Sequence, residues 1–240
     1  MNQRRTKTRH GCTPTEAPSG PLTTVRKVAA GGFTLIELLV VVAIIALLVG
    51  IMLPALANAR LAARVVNAHA DLRSIDQALF LYQQDHRGDL PPTRFSCSSG
   101  LAFPLPIELG EGEYLQVEVP QGEEQTLLED VFSPTAGQSY KYRAPGPAWE
   151  NTTTYAPSGS WLWIPDDAPI CQSTTGDWVN DRAEAEVKYA AWSIGPDDGS
   201  PPAVVVNRLP LPQAAWFGNG NASGVITHYQ ADSGTVHMSP

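Results

Sequence analysis

The run from Leu38 to Leu53 carries no charge and no strong polar group, and it limits what this chain can become more than any other segment. So apolar a stretch must either lie in hydrocarbon or be covered by other helices. Residues from about Phe33 to Ala57, at about 1.5 Å per helical residue, span roughly 37 Å, enough to cover the roughly 30 Å of a bilayer core. Directly before the run stands Gly31-Gly32-Phe33-Thr34-Leu35-Ile36-Glu37, which places one carboxylate near the start of a membrane-compatible helix. A carboxylate in hydrocarbon costs several kcal/mol unless it is paired, so Glu37 is a functional candidate whose partner has to be found, in this molecule or in another.

A secretory signal peptide is the competing reading, because Pro54-Ala55-Leu56-Ala57-Asn58-Ala59 offers Ala-x-Ala cleavage sites after the run. It leaves Glu37 unexplained, and the run is long for the apolar region of a signal peptide. A retained anchor fits better. Arg4, Arg5, Lys7, Arg9, Arg26 and Lys27 precede the run, with Glu16 the one acid among them, so the N-terminus should stay cytoplasmic and the rest should be exported. Arg4-Arg5 makes a weak twin-arginine signal, far from the apolar segment.

The segment resembles the processing site of type IV prepilins and of the pseudopilins of type II secretion: a basic leader ending in Gly, a cut, then Phe, and Glu as the fifth mature residue. That resemblance implies a prepilin peptidase that cuts between Gly32 and Phe33 and methylates the new Phe33 amine. It also implies that Glu37 neutralises the Phe33 ammonium of a neighbouring subunit as a filament grows.

Without the leader's six cations and Glu16, 10 Lys+Arg stand against 23 Asp+Glu, a formal charge of −13 for the mature chain. Nucleic-acid binding is disfavoured, since neutralising phosphates needs clustered cations. About 180 residues follow the anchor, enough for one globular domain but hardly for two. Beyond Pro91, abundant Pro and Gly suit short strands joined by turns and long loops. Cys12 falls in the leader. Cys97 and Cys171 remain as an even pair in an exported, oxidising compartment, where a bridge between them is expected, and neither has the C-x-x-C spacing of a metal or redox site.

After the anchor, Leu61, Val65, Ala68, Leu72, Ile75, Leu79 and Tyr82 recur alternately four and three apart, while Arg64, Asn67, Asp71, Arg73, Asp76 and Gln83 fall on other faces. Such a stripe buries one side, in a coiled coil or against a sheet, and the strand-like chain downstream supplies a sheet. Pro54 should kink the helix or melt a turn. Gly88, suited to the C′ position, with Leu90-Pro91-Pro92 after it, should end the helix.

Asp71 through Leu79, then Tyr82, Asp85 and Pro91-Pro92, resembles the helix end of major pseudopilins of the G type. Two later patches extend the likeness. Ala191-Trp192-Ser193-Ile194-Gly195-Pro196-Asp197-Asp198-Gly199 is similar to that family's Ser-Leu-Gly-x-Asp-Gly segment, and Tyr229 to Val236 looks like a degenerate closing hairpin. The family holds a structural calcium ion after the first patch. Asp197 and Asp198 are the carboxylates that the resemblance would assign to it, with Asp177 and Asp181 as remote candidates, and calcium's preference for hard oxygen ligands suits them. A plain turn is the alternative. This chain departs from the family there, since Pro201-Pro202-Ala203-Val204 follows where more acids would be expected.

Tyr140-Lys141-Tyr142, Tyr155, Trp161-Leu162-Trp163-Ile164, Trp178 and Val187 to Ile194 read as strands. Most of their aromatics suit a core, while Trp161 and Trp163, two apart, could form an exposed platform for a sugar or a protein. His69, His86, His228 and His237 form no H-E-x-x-H, with His69 and His86 on polar or end faces of the helix. The chain has neither a G-x-S-x-G elbow nor a P-loop, and Gly218 to Gly224 misses the dinucleotide fingerprint. No enzymatic activity is expected.

The expected fold is α+β and pilin-like: a basic leader over 1–32, a membrane and filament-core helix over 33–57, an amphipathic helix over 58–88, and a β-rich head of antiparallel sheet over 89–240. The resemblance implies a single-pass protein of the bacterial inner membrane, with its head in the periplasm or on an extracellular filament. Its implied partners are prepilin peptidase, like subunits, other pseudopilins and an inner-membrane assembly platform. A pseudopilin that drives protein export is the leading function. A type IV pilus subunit and a monomeric anchored binding or enzymatic domain are the alternatives.

Overall fold

The computed structural model describes residues 32–95, 103–115, 127–133, 138–151, 153–166, 168, 176–196 and 209–240. Cys97, Cys171, Asp197 and Asp198, and the disulfide and calcium expectations they carry, lie outside these residues. The chain divides into two units, Met1–Gly50 and Ile51–Pro240. Helix α1, Leu35–Asp85, begins in the first and ends in the second, and it runs unbroken through Pro54, so the locally melted turn expected there is not formed.

In the second unit α1 buries Ala68, Leu72, Ile75, Ala78 and Leu79, with Leu61, Val65 and Tyr82 half-buried at the ends and edge of the same stripe. The helix closes with a Schellman turn, in which the Gly88 amide donates to the Gln83 carbonyl at 2.8 Å. The left-handed C′ position falls one residue earlier than expected: Arg87 occupies it at φ +60°, and Gly88 follows at +93°. Tyr82, stacked on His86 at 3.8 Å between centroids, meets the edge of Tyr114, whose hydroxyl donates to Asp85 Oδ2 at 2.9 Å. These contacts tie the helix end to the head and override the preference for glycine at C′.

The architecture is α+β. Nine strands form three sheets among the described residues: β1 (Thr93–Phe95), β3 (Gly146–Glu150) and β4 (Thr154–Ser160) in the order β1-β3-β4; β2 (Lys141–Arg143), β7 (Val187–Ser193), β8 (Ile226–Ala231) and β9 (Val236–Met238) in the order β2-β7-β8-β9; and the pair β5 (Leu162–Ile164) and β6 (Asp177–Val179). Pairing is antiparallel except between β1 and β3, which run parallel. A short helix α2, Glu108–Glu111, buries Leu109. The closing hairpin is present as β8 and β9.

Strand alternation divides the four-stranded sheet between two cores. Tyr142, Tyr189, Ala191 and Ile226 pack with the α1 stripe, while Ala190, Trp192, Val225 and Tyr229 pack with Leu162, Ile164 and Trp216 on the opposite side. With both faces covered, β7 reads as a nearly continuous apolar run rather than an alternating one. Its two central alanines leave room for the larger side chains that converge on it.

Candidate functional site

The start of α1 is built by four residues. Thr34 is the N-cap: its hydroxyl oxygen accepts from the Glu37 amide at 3.3 Å, and Glu37 Oε2 accepts in return from the Thr34 amide at 2.8 Å and the Thr34 hydroxyl at 2.6 Å. This is a reciprocal capping box, and Glu37 also sits where the helix dipole favours an anion. Phe33, 78% exposed, immediately precedes the cap. A Cβ added at Gly32 would meet nothing within 4 Å, and the Gly32 backbone is not left-handed. Nothing in the fold demands glycine at this position.

Every residue from 32 to 60 is exposed, including Leu38, Ile44, Leu47 and Leu53. Leaving so much apolar surface in water is unfavourable by about 25 cal/mol per Å², so the segment calls for hydrocarbon or neighbouring helices. By length and composition α1 is able to cross a membrane.

The polar residues of α1 include a second feature, which the periodicity had put on the wrong faces. Asp71, Asp76, Gln83 and His69 border the buried stripe and reach the head. Asp71 Oδ2 accepts from the Tyr140 hydroxyl at 2.7 Å. Asp76 accepts from the Tyr189 hydroxyl at 3.0 Å and pairs with His228 Nδ1 at 2.7 Å, while His228 Nε2 lies 3.1 Å from His69 Nδ1. Since a carboxylate only accepts, His228 donates from Nδ1 to Asp76. Burial, followed by the Asp71 carboxylate for Tyr140 and the Asp76 carboxylate for Tyr189, pushes both phenols far above their ordinary pKa and keeps them donors. These contacts pin helix to sheet in one register. The paired side chains lie far apart in sequence, so no local pattern could reveal them.

Burial, then His228 and Arg73, lowers the His69 pKa from its ordinary value near 6.5, although the Pro240 backbone opposes the shift. As pH falls below about 6.5 the unfolded chain takes up this proton before the folded one does. His69 therefore favours the folded state fully only above that pH, and its contribution declines as pH falls toward the lowered value. The thermal midpoint should drop between pH 7.5 and 5.5, and His69→Gln should flatten part of that drop. An unchanged pH slope in the variant would remove His69 as the cause.

The other sites expected from sequence are dispersed. Among the described residues no three His, Cys, Asp or Glu side chains converge in a way that could hold a metal. Asp177 Oδ1 accepts from the Trp178 amide at 2.9 Å at the start of β6, and Asp181 Oδ1 from the Ala183 amide at 2.8 Å in the turn that follows, so each carboxylate meets a local backbone donor. Trp161 lies just before β5 and is exposed, while Trp163, within β5, packs on Trp178 at 5.5 Å between centroids.

Comparison with protein families finds one match, described as Prokaryotic N-terminal methylation motif, over residues 29–53. It covers the Gly32, Phe33 and Glu37 constellation and most of the exposed apolar helix. The chain thus carries a prepilin-type N-methylation segment, on a helix long and apolar enough for a single membrane span. Neither the curated proteins nor the solved structures contain a match.

Proposed function

We propose that this chain is a filament subunit of pilin-like type, processed by a prepilin peptidase at Gly32-Phe33, and that it serves as a pseudopilin of type II secretion. The observation that carries the reading is Glu37: an anion fixed at the N-terminus of α1, followed by residues 38–59, which are uncharged and exposed, within a matched N-methylation segment. The anchors leave the bilayer and bundle as the filament core, and each Glu37 takes the Phe33 ammonium of a neighbour. The heads remain outside, and the growing fibre pushes folded cargo outward. The role is mechanical and structural rather than enzymatic. The helix-end pattern with Tyr82, Asp85 and Pro91-Pro92, which resembles that of G-type pseudopilins, supports the secretion reading; Asp85 accepts from the Tyr114 hydroxyl at 2.9 Å and the Pro91 carbonyl from the Tyr142 hydroxyl at 3.0 Å.

Processing tests the class. Mass and N-terminal analysis of the membrane fraction should find a chain beginning at N-methylated Phe33. Because Gly32 has open space around it, a bulky replacement there should fold normally and still retain the leader. A mature chain beginning at Asn58 or Arg60 would show a cleaved signal peptide and end the filament reading. Loss of secretion of a folded substrate on deletion, with surface pili unaffected, would separate pseudopilin from pilin.

A further inference from the structure

Arg143, at the end of β2, is a cation with no anion among the described residues. Among the described residues its guanidinium makes no ion pair and no hydrogen bond, and its Nε is sealed from solvent without a partner. Its contacts are aromatic: Cζ lies 4.4 Å from the centroid of Phe103 and 5.5 Å from that of Trp178. Burying a guanidinium N–H without an acceptor is unfavourable, and cation–π attraction offsets that only in part. Phe103 adds to the cost, for it holds φ +59°, an unusual conformation for a bulky side chain. Its carbonyl is fixed by the Tyr142 amide at 2.8 Å, which keeps the ring in place against the guanidinium.

The outer wall is Trp178, which remains 43% exposed and leans on Trp163 with the two ring planes 57° apart. Gly176 makes this possible, since a Cβ there would come within 2.6 Å of the Trp163 ring. Asp177, the nearest acid in sequence, has Oδ1 committed to the Trp178 amide. A planar, weakly hydrated cation beside an exposed indole face matches a ligand with two parts: a carboxylate to accept from the guanidinium fork and a flat, C–H-rich ring to lie on Trp178.

We infer that Arg143 and Trp178 form a binding site for a uronic acid residue, the guanidinium taking the sugar carboxylate and the indole taking the pyranose face. A neutral sugar leaves the guanidinium unpaired, and a simple carboxylate leaves Trp178 bare. The acidic head disfavours long polyanions, so the site suits one or two acidic residues. The inference stands independently of filament assembly.

The test uses the full chain in a zwitterionic detergent without sugar headgroups, followed by tryptophan fluorescence at constant ionic strength. Sodium glucuronate should give a saturable change with a dissociation constant on the order of 1 mM, while glucose and acetate should give none. Arg143→Gln and Trp178→Ala should each weaken binding at least about tenfold. The exposed position of Trp178 keeps its variant foldable, and the thermal midpoint checks both. Arg143→Lys should also bind poorly, because an ammonium lacks the planar fork. Any one of four results overturns the site: no saturation with glucuronate, an equal response to glucose, an equal response to benzoate, or unchanged affinity in folded Arg143→Gln protein.

Discussion

Glu37→Ala should be cut and inserted like the unchanged chain and yet assemble on the order of a hundredfold less filament. An ammonium left unpaired near the helix start in hydrocarbon costs roughly 2.5–3.5 kcal/mol, which is about two powers of ten in an addition equilibrium. The structure makes the test sharper, because Glu37 has two separable roles. Its carboxylate closes the capping box with Thr34, and its charge is free to meet a second amine. Glu37→Gln keeps a box-forming acceptor and removes the charge, whereas Thr34→Ala removes the cap and keeps the charge at a cost of about 0.5–2 kcal/mol. If charge pairing drives assembly, Gln fails as Ala does and Thr34→Ala still assembles. Near-normal filament from Glu37→Gln, measured by sheared-fibre yield with processing confirmed by mass, would reassign Glu37 to helix capping alone.

The largest loss of stability should come from Asp130→Ala. This carboxylate is 3% exposed. Its Oδ1 accepts from the Ser193 hydroxyl at 2.7 Å and the Phe132 amide at 3.0 Å, and its Oδ2 from the Ile194 amide at 2.8 Å. Ser193 in turn accepts from the Gly195 amide at 3.0 Å, so one acid organises the turn that leaves β7. Burial raises the Asp130 pKa against the pull of those donors and of the Lys141 charge, while burial lowers the Lys141 pKa. Truncation leaves several buried donors without this acceptor and should cost about 3–5 kcal/mol, or on the order of 10 °C in a domain of this size. That is a large part of the 5–15 kcal/mol typical of a domain. Urea unfolding followed by tryptophan fluorescence should show the midpoint fall with little change in slope. A loss below about 1 kcal/mol would mean that the turn holds without Asp130.

Features that depend on near neighbours are legible in the sequence. The N-terminal constellation, the apolar run and the stripe from Leu61 to Tyr82 each depend on neighbours within a few residues, and each has its expected place in the structure. The strands around Tyr142, Trp163 and Val187 to Ser193 were visible from their β-branched and aromatic content. The helix C-terminus was located to within a residue, but its left-handed position went to Arg87 rather than Gly88, because Tyr82, His86 and Tyr114 fix the last turn.

The sequence by itself determined the helix start, the anchor, the buried stripe and the α+β class, because capping, hydropathy and periodicity act over one or two turns of chain. Only the tertiary structure decided which polar side chains of the helix face inward. Asp76 and His69 look like solvent-facing residues until the pairing of β7 with β8 sets His228 opposite the small Ala191 and turns its ring toward the helix. The same holds for Asp130, which meets Ser193 across 63 positions, and for Arg143, whose partners Phe103 and Trp178 come from opposite sides of it in the chain. A buried polar group is stable only when distant donors or rings arrive in register. That register is a property of the assembled sheets, which no local window of sequence contains.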